Sequence, residues 1–165
     1  METNTSKNIK YTLGGYAGSL IHFIIEKEYL DKDKYHLFAS QFQLHSDENG
    51  TWRGEFWGKF VRGACECFKA SGNRVVYQNI EDSVFEMISY MEEDGTLSSY
   101  QADCRFTGWD VWSRKYAMIG MLSYLSICKN KKEFFPLLKN KRTPLWMLLE
   151  ERKKGYWKPP TSTAL

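Results

Sequence analysis

Two short segments concentrate the residue types that bind polar ring ligands. One is Trp52-Arg53-Gly54-Glu55-Phe56-Trp57-Gly58-Lys59, and the other is Gly108-Trp109-Asp110-Val111-Trp112-Ser113-Arg114-Lys115-Tyr116. On a helix, Glu55 and Lys59 stand at i and i+4, and Trp52 lies one turn before Glu55. Asp110 and Arg114 repeat that spacing, with Asp110 in a first turn, where a negative charge suits the helix dipole. Aromatic platforms beside acids and bases suit a sugar: its apolar face stacks on indole and its hydroxyls take polar contacts. The candidate binding residues are therefore Trp52, Glu55, Trp57, Lys59, Trp109, Asp110, Trp112 and Arg114. The indoles of Trp52, Trp57, Trp109 and Trp112 are the platforms. Glu55 and Asp110 would accept from hydroxyls, and Lys59 and Arg114 would donate. The same residues also fit a structural use, as i,i+4 ion pairs and a helix cap beside partly buried tryptophans.

No complete active site accompanies them. The chain has no glycine-rich phosphate loop, no serine elbow and no HExxH pair. His22, His36 and His45 lack metal spacing. His22, in an apolar stretch, is expected to pack in the core, and His45 to lie in a solvated loop. Cys65 and Cys67 are expected to be small core residues. Four cysteines in 165 residues do not form a disulfide scaffold.

Four helices must position the two segments. Leu13, Tyr16, Leu20, Phe23 and Ile24 mark one face of a helix from Tyr11 to about Leu30. Residues 31–50 are polar and aperiodic, which predicts a long loop. Phe56, Phe60, Gly63, Ala64, Cys67 and Phe68 form the stripe of a second helix, Trp52 to Ala70, closed by Ser71-Gly72-Asn73. Val76, Ile80, Val84, Met87, Ile88 and Met91 define a third, from Arg74 to Met91, ended by Asp94-Gly95. A Ser/Tyr/Gly-rich loop over 96–108 precedes a fourth, from Trp109 to about Cys128, with Val111, Met118, Ile119, Leu122 and Leu125 as its apolar side. No period-2 run competes with these. Short and long connections alternate, as in stacked helical hairpins whose long loops gather at one end.

Four patterns in order, Leu13–Gly18, Trp52–Lys59, Asp94–Tyr100 and Gly108–Leu125, give the chain a family likeness. Over roughly residues 10–128 it resembles the β-L-arabinofuranosidase-like glycoside hydrolases, family 127 and its relatives. That resemblance implies an all-α fold, here a partial (α/α)6 barrel over 1–128. It also implies that Glu55, Lys59, Trp109, Asp110 and Arg114 lie towards the sugar-binding end. Complete relatives would hydrolyse terminal glycosidic bonds with retention, through a covalent intermediate on a cysteine of a zinc site. Cys65, Cys67, Cys104 and Cys128 do not occupy those motif positions. The expectation is therefore no catalytic residue, no metal ligand and no cofactor in this chain, which at most binds carbohydrate.

The likeness stops at Cys128. All four prolines (Pro136, Pro144, Pro159, Pro160) lie in the last 30 residues. Residues 1–128 carry 13 Lys/Arg against 17 Asp/Glu, and residues 129–165 carry 10 against 3. An acidic body thus meets an atypical basic tail, expected to be the product of a reading-frame shift or a disordered extension. Nucleic-acid binding is not expected, because the folded part is acidic. No apolar run reaches the roughly 18–20 residues that span a bilayer. The polar N-terminus, without an apolar h-region, points to the cytoplasm. Exposed barrel faces would favour self-association. The alternative function is a small helical interaction module that uses the aromatic patch and the basic tail.

Overall fold

A computed structural model describes residues 14–48, 52–93, 95–106, 108–129 and 131–132. The predicted tail from residue 133 onward, with Leu13, Asp94 and Thr107, lies outside the described residues. The described residues form an all-α structure of five helices without a strand.

Asn73 opens the helix most plainly written in the sequence. Its side chain caps the backbone N–H groups of Val75 and Val76. All six residues of the predicted stripe, Val76 to Met91, are buried in the core. Gly72, just before, ends the preceding helix in the left-handed conformation at φ 68°. In chain order, α1 spans Gly15–Ile24 and continues as a π-helical turn, Ile25–Tyr29; α2 spans Lys32–Leu44, α3 Arg53–Ser71, α4 Arg74–Ser89 and α5 Gly108–Ile127.

Helix α2 corrects the expected loop over 31–50. Asp31 caps it by accepting from the Asp33 amide. Tyr35, Ala39 and Phe42 are buried, and Phe38 packs against the same core. His45 ends the helix with a left-handed backbone.

Neighbouring helices alternate in direction. Tyr35 and Phe38 of α2 meet Phe60 and Phe56 of α3, so these two run antiparallel. Trp57 meets Ser83 and Phe68 meets Tyr77, which makes α4 antiparallel to α3. Tyr124 bonds Glu81 and the Lys129 amide bonds Tyr77, so α5 reverses again and runs parallel to α3.

The contact between α3 and α5 is a close backbone crossing. A Cβ on Gly58 would lie 1.9 Å from the Tyr116 carbonyl oxygen, and one on Gly120 would lie 3.0 Å from the Gly58 Cα. Small residues make this approach possible, and it shifts the buried faces only in part: Ala64 and Leu125 of the predicted stripes are buried, and Phe60, Cys67 and Phe68 pack against the core. On α5, Ser113, Ala117, Gly120, Met121 and Tyr124 turn inward, while Val111 and Leu122 of the expected stripe are exposed. On α3, the inward residues are Gly54, Glu55, Trp57, Gly58, Val61, Ala64 and Cys65; Phe56 is exposed. On α1, Gly18 is buried and Tyr16, Leu20 and Phe23 face outward, opposite to expectation. His22 is exposed as well, which overturns its predicted core position. Among the described residues, no helix is long and apolar enough to cross a membrane.

Candidate functional site

Asp47 fixes the entry to α3. Its backbone pairs with the loop ahead of α5, through Asp47 N–H to Ser99 O (2.9 Å) and Gln101 N–H to Asp47 O (3.2 Å). Its carboxylate accepts from Arg53 Nε and from the Gly54 amide, both at 2.8 Å. A buried carboxylate therefore satisfies an otherwise orphaned N–H in the first turn of α3, at the positive end of its dipole.

Asp110, in the first turn of α5, ties that helix to the loop ahead of it. It is wholly buried and accepts from Ser98 Oγ (2.6 Å), the Phe106 amide (2.7 Å) and Arg114 Nε (2.8 Å). The Arg114 guanidinium lies 4.4 Å from the Phe106 ring centre, and its Nη2 is buried without a hydrogen-bond partner among the described residues. These two sequence-chosen residues thus fasten the 98–106 loop. The expected role of Asp110 as a hydroxyl acceptor is corrected by its burial and by the donors already bound to it. Arg114 gives its Nε to Asp110.

The loop between them packs into a notch. Ser98, Ser99 and Tyr100 are all buried. The Ser99 and Ser113 hydroxyls are 3.2 Å apart, and a Cβ on Gly54 would lie 2.0 Å from Ser99 Oγ. Glycine at position 54 is what lets the loop close on α3. His45 Nδ1 donates to the Ser98 carbonyl at 2.9 Å, so the histidine expected in a solvated loop holds the same segment. Burial, and the negative charges of Asp47, Asp110 and Glu55, push the Tyr100 phenol up to about 12.

Above this base the two helix starts meet in an aromatic ledge. Trp52 and Trp109 pack edge to face with ring centres 5.6 Å apart. Trp109 meets Trp112 at 6.4 Å, and Trp112 meets Tyr116 at 5.3 Å. Trp52, Trp109 and Trp112 keep 46%, 40% and 40% of their surface exposed. Glu55, 8% exposed, anchors the ledge from below. One of its oxygens accepts from Trp112 Nε1, and the other from Lys59 Nζ at 2.7 Å. The hydrogen bond to that carboxylate raises the Lys59 pKa above the usual lysine value. Lys59 also lies 4.9 Å from the Tyr116 ring centre.

Five of the eight sequence-chosen residues therefore come together here: Trp52, Glu55, Lys59, Trp109 and Trp112. Trp57 does not. It is fully buried, with Nε1 donating to Ser83 Oγ at 2.9 Å, so its expected role as a platform is corrected. Asp47, Ser98, Ser99, Tyr100, Ser113, Lys115 and Tyr116 belong to the arrangement and were not singled out from sequence. Ser113, Lys115 and Tyr116 lie within the second motif, and Ser98, Ser99 and Tyr100 within the Asp94–Tyr100 pattern. Asp47, beside Glu48 in an apparent loop, leaves no sequence signal.

Among the described residues, no group of three or more His, Cys, Asp and Glu side chains is gathered to hold a metal ion. No family model, no curated protein and no solved structure matches this chain.

Proposed function

We propose that this chain is the N-terminal portion of a catalytic (α/α)6 barrel of the β-L-arabinofuranosidase-like type, and that its own activity is carbohydrate binding at the aromatic ledge. One observation carries this reading. The starts of two parallel helices, more than fifty residues apart in sequence, place Trp52 and Trp109 in contact at the surface, beside a Glu55–Lys59 pair. Exposed indoles next to the half-exposed Lys59 ammonium, held by the buried Glu55 carboxylate, supply the stacking surface and a hydroxyl contact that a sugar requires. Complete relatives would carry out hydrolysis with residues from the later part of the barrel. In this chain the role is recognition.

Tyr16, Leu20 and Phe23 on α1, with Val111 and Leu122 on α5, are the faces that neighbouring barrel helices would cover. Isolated, the chain is expected to self-associate through them. Sedimentation that shows a stable monomer counts against the barrel part of the proposal.

Binding is tested by titrating the intrinsic tryptophan fluorescence of the full chain with methyl glycosides, methyl β-L-arabinofuranoside among them. The expected result is a saturable change that Trp109→Ala abolishes. If no sugar produces such a change, the carbohydrate reading fails and the ledge is better read as a protein-docking patch. Loss of partner capture on deleting residues 129–165 would then identify the helical interaction module.

A further inference from the structure

Among the described residues, each of the three acids set beneath the ledge is paired with a cation. Asp47 is matched by Arg53 at 2.8 Å, Glu55 by Lys59 at 2.7 Å and Asp110 by Arg114 at 2.8 Å. Lys115 has no carboxylate partner among the described residues. Its Nζ instead lies 3.3 Å from the centre of the Trp112 ring and 4.5 Å from that of Tyr116. An ammonium held against aromatic faces is attracted by their quadrupoles and keeps its full charge.

The position of Lys115 divides the ledge. It covers one face of Trp112, whose Nε1 is already bound to Glu55. Trp112 is thus a support, and stacking falls to Trp109 and Trp52. Trp109 lies 6.4 Å from Trp112, centre to centre. A six-membered sugar ring stacked on Trp109 would lie beside the Trp112 ring that Lys115 covers.

We infer that the ledge selects a sugar bearing a carboxylate, a uronic acid residue, with Lys115 as the specificity-determining group. This deepens the carbohydrate reading and rests on it. One uncompensated positive charge matches the single charge of a carboxylate and falls short of the nearly two charges of a phosphate monoester. The three paired carboxylates beneath are already neutralised and do not oppose an incoming anion.

The test uses two ligands that differ only at C6, methyl α-D-galacturonoside and methyl α-D-galactoside, titrated against the full chain by tryptophan fluorescence. Exposed ion pairs are weak, so the uronate is expected to bind about two- to fivefold tighter than the neutral sugar. The preference should shrink with added salt. Lys115→Met should bring the ratio near one, and Lys115→Arg should restore it. Equal binding of the two sugars by the native chain overturns the inference and leaves the carbohydrate reading standing. A preference that survives in Lys115→Met also overturns it. Binding of neither sugar, or of any other glycoside, overturns both.

Discussion

Replacing Gly58 by alanine tests the crossing that brings the two helix starts together. The new methyl group would lie 1.9 Å from the Tyr116 carbonyl oxygen, 2.3 Å from its carbon and 2.9 Å from the Ala117 nitrogen. All three are backbone atoms, so no change of rotamer relieves the contact. Restoring an ordinary separation of about 3.5 Å requires α3 and α5 to part by roughly 1.5 Å. Gly120 and the buried Trp57 ring, which meet at this crossing, then lose part of their packing. Overpacking of this kind costs about 1–3 kcal/mol, and backbone obstruction favours the upper end. Alanine's better helix propensity returns up to about 1 kcal/mol. The expected net loss is about 2 kcal/mol, a fall in Tm of about 6–10 °C for a domain of this size. Urea unfolding followed by tryptophan fluorescence and by circular dichroism would measure it, with an unchanged slope showing that the folded and unfolded states are otherwise comparable. Gly108→Ala is the control. Nothing lies within 4 Å of its added methyl, so stability should hold or rise slightly. If Gly58→Ala is as stable as the native chain, the two helices do not cross as described and the ledge loses its foundation.

Three further outcomes follow from named contacts. Asp110→Asn removes the charge that holds Arg114 and turns an amide group towards donors; breaking this buried pair should cost about 3–5 kcal/mol by urea unfolding and accelerate hydrogen exchange across residues 98–106. Trp57→Ala should cost about 3–5 kcal/mol, whereas Trp109→Ala, at the surface, should change stability by less than about 1 kcal/mol; similar losses at both positions would contradict the separation of core from ledge. Tyr100 has a pKa raised from 10.0 to about 12 in the folded chain, so the unfolded chain gives up this proton first. Its contribution to stability is therefore complete below pH 10 and is lost as the pH rises through about 12. Ultraviolet titration should show phenols that ionise only above the ordinary range, and Tyr100→Phe should remove one of them.

Much of the fold is legible where one helical face meets one neighbour. Helix α4 is such a case. Its asparagine cap, its six-residue stripe and the glycine before it state the same element independently. Helix α2, expected as a loop, does carry Tyr35, Phe38, Ala39 and Phe42 at i, i+3, i+4 and i+7. Its low overall hydrophobicity masks that pattern. By contrast, α3 touches partners on more than one side, so no single stripe describes it. Where α5 crosses α3 it buries small residues, Ser113, Ala117 and Gly120, because the partner backbone approaches too closely for larger ones. Hydrophobic periodicity is blind to such a contact.

For the candidate site, local sequence determined which residue types could take part. Spacing alone set Glu55 with Lys59 and Asp110 with Arg114 as i,i+4 pairs, and both pairs form. It also determined that both aromatic motifs open helices. Tertiary structure decided which of those residues face a ligand. Trp57 is sealed into the core and Asp110 with Arg114 into the loop anchor, while Trp52, Trp109, Trp112 and Lys115 are left at the surface. The physical reason is that spacing along a helix fixes angles about one axis. Which angle faces solvent depends on where the next helix packs, and here that was set by Gly54, Gly58 and Gly120.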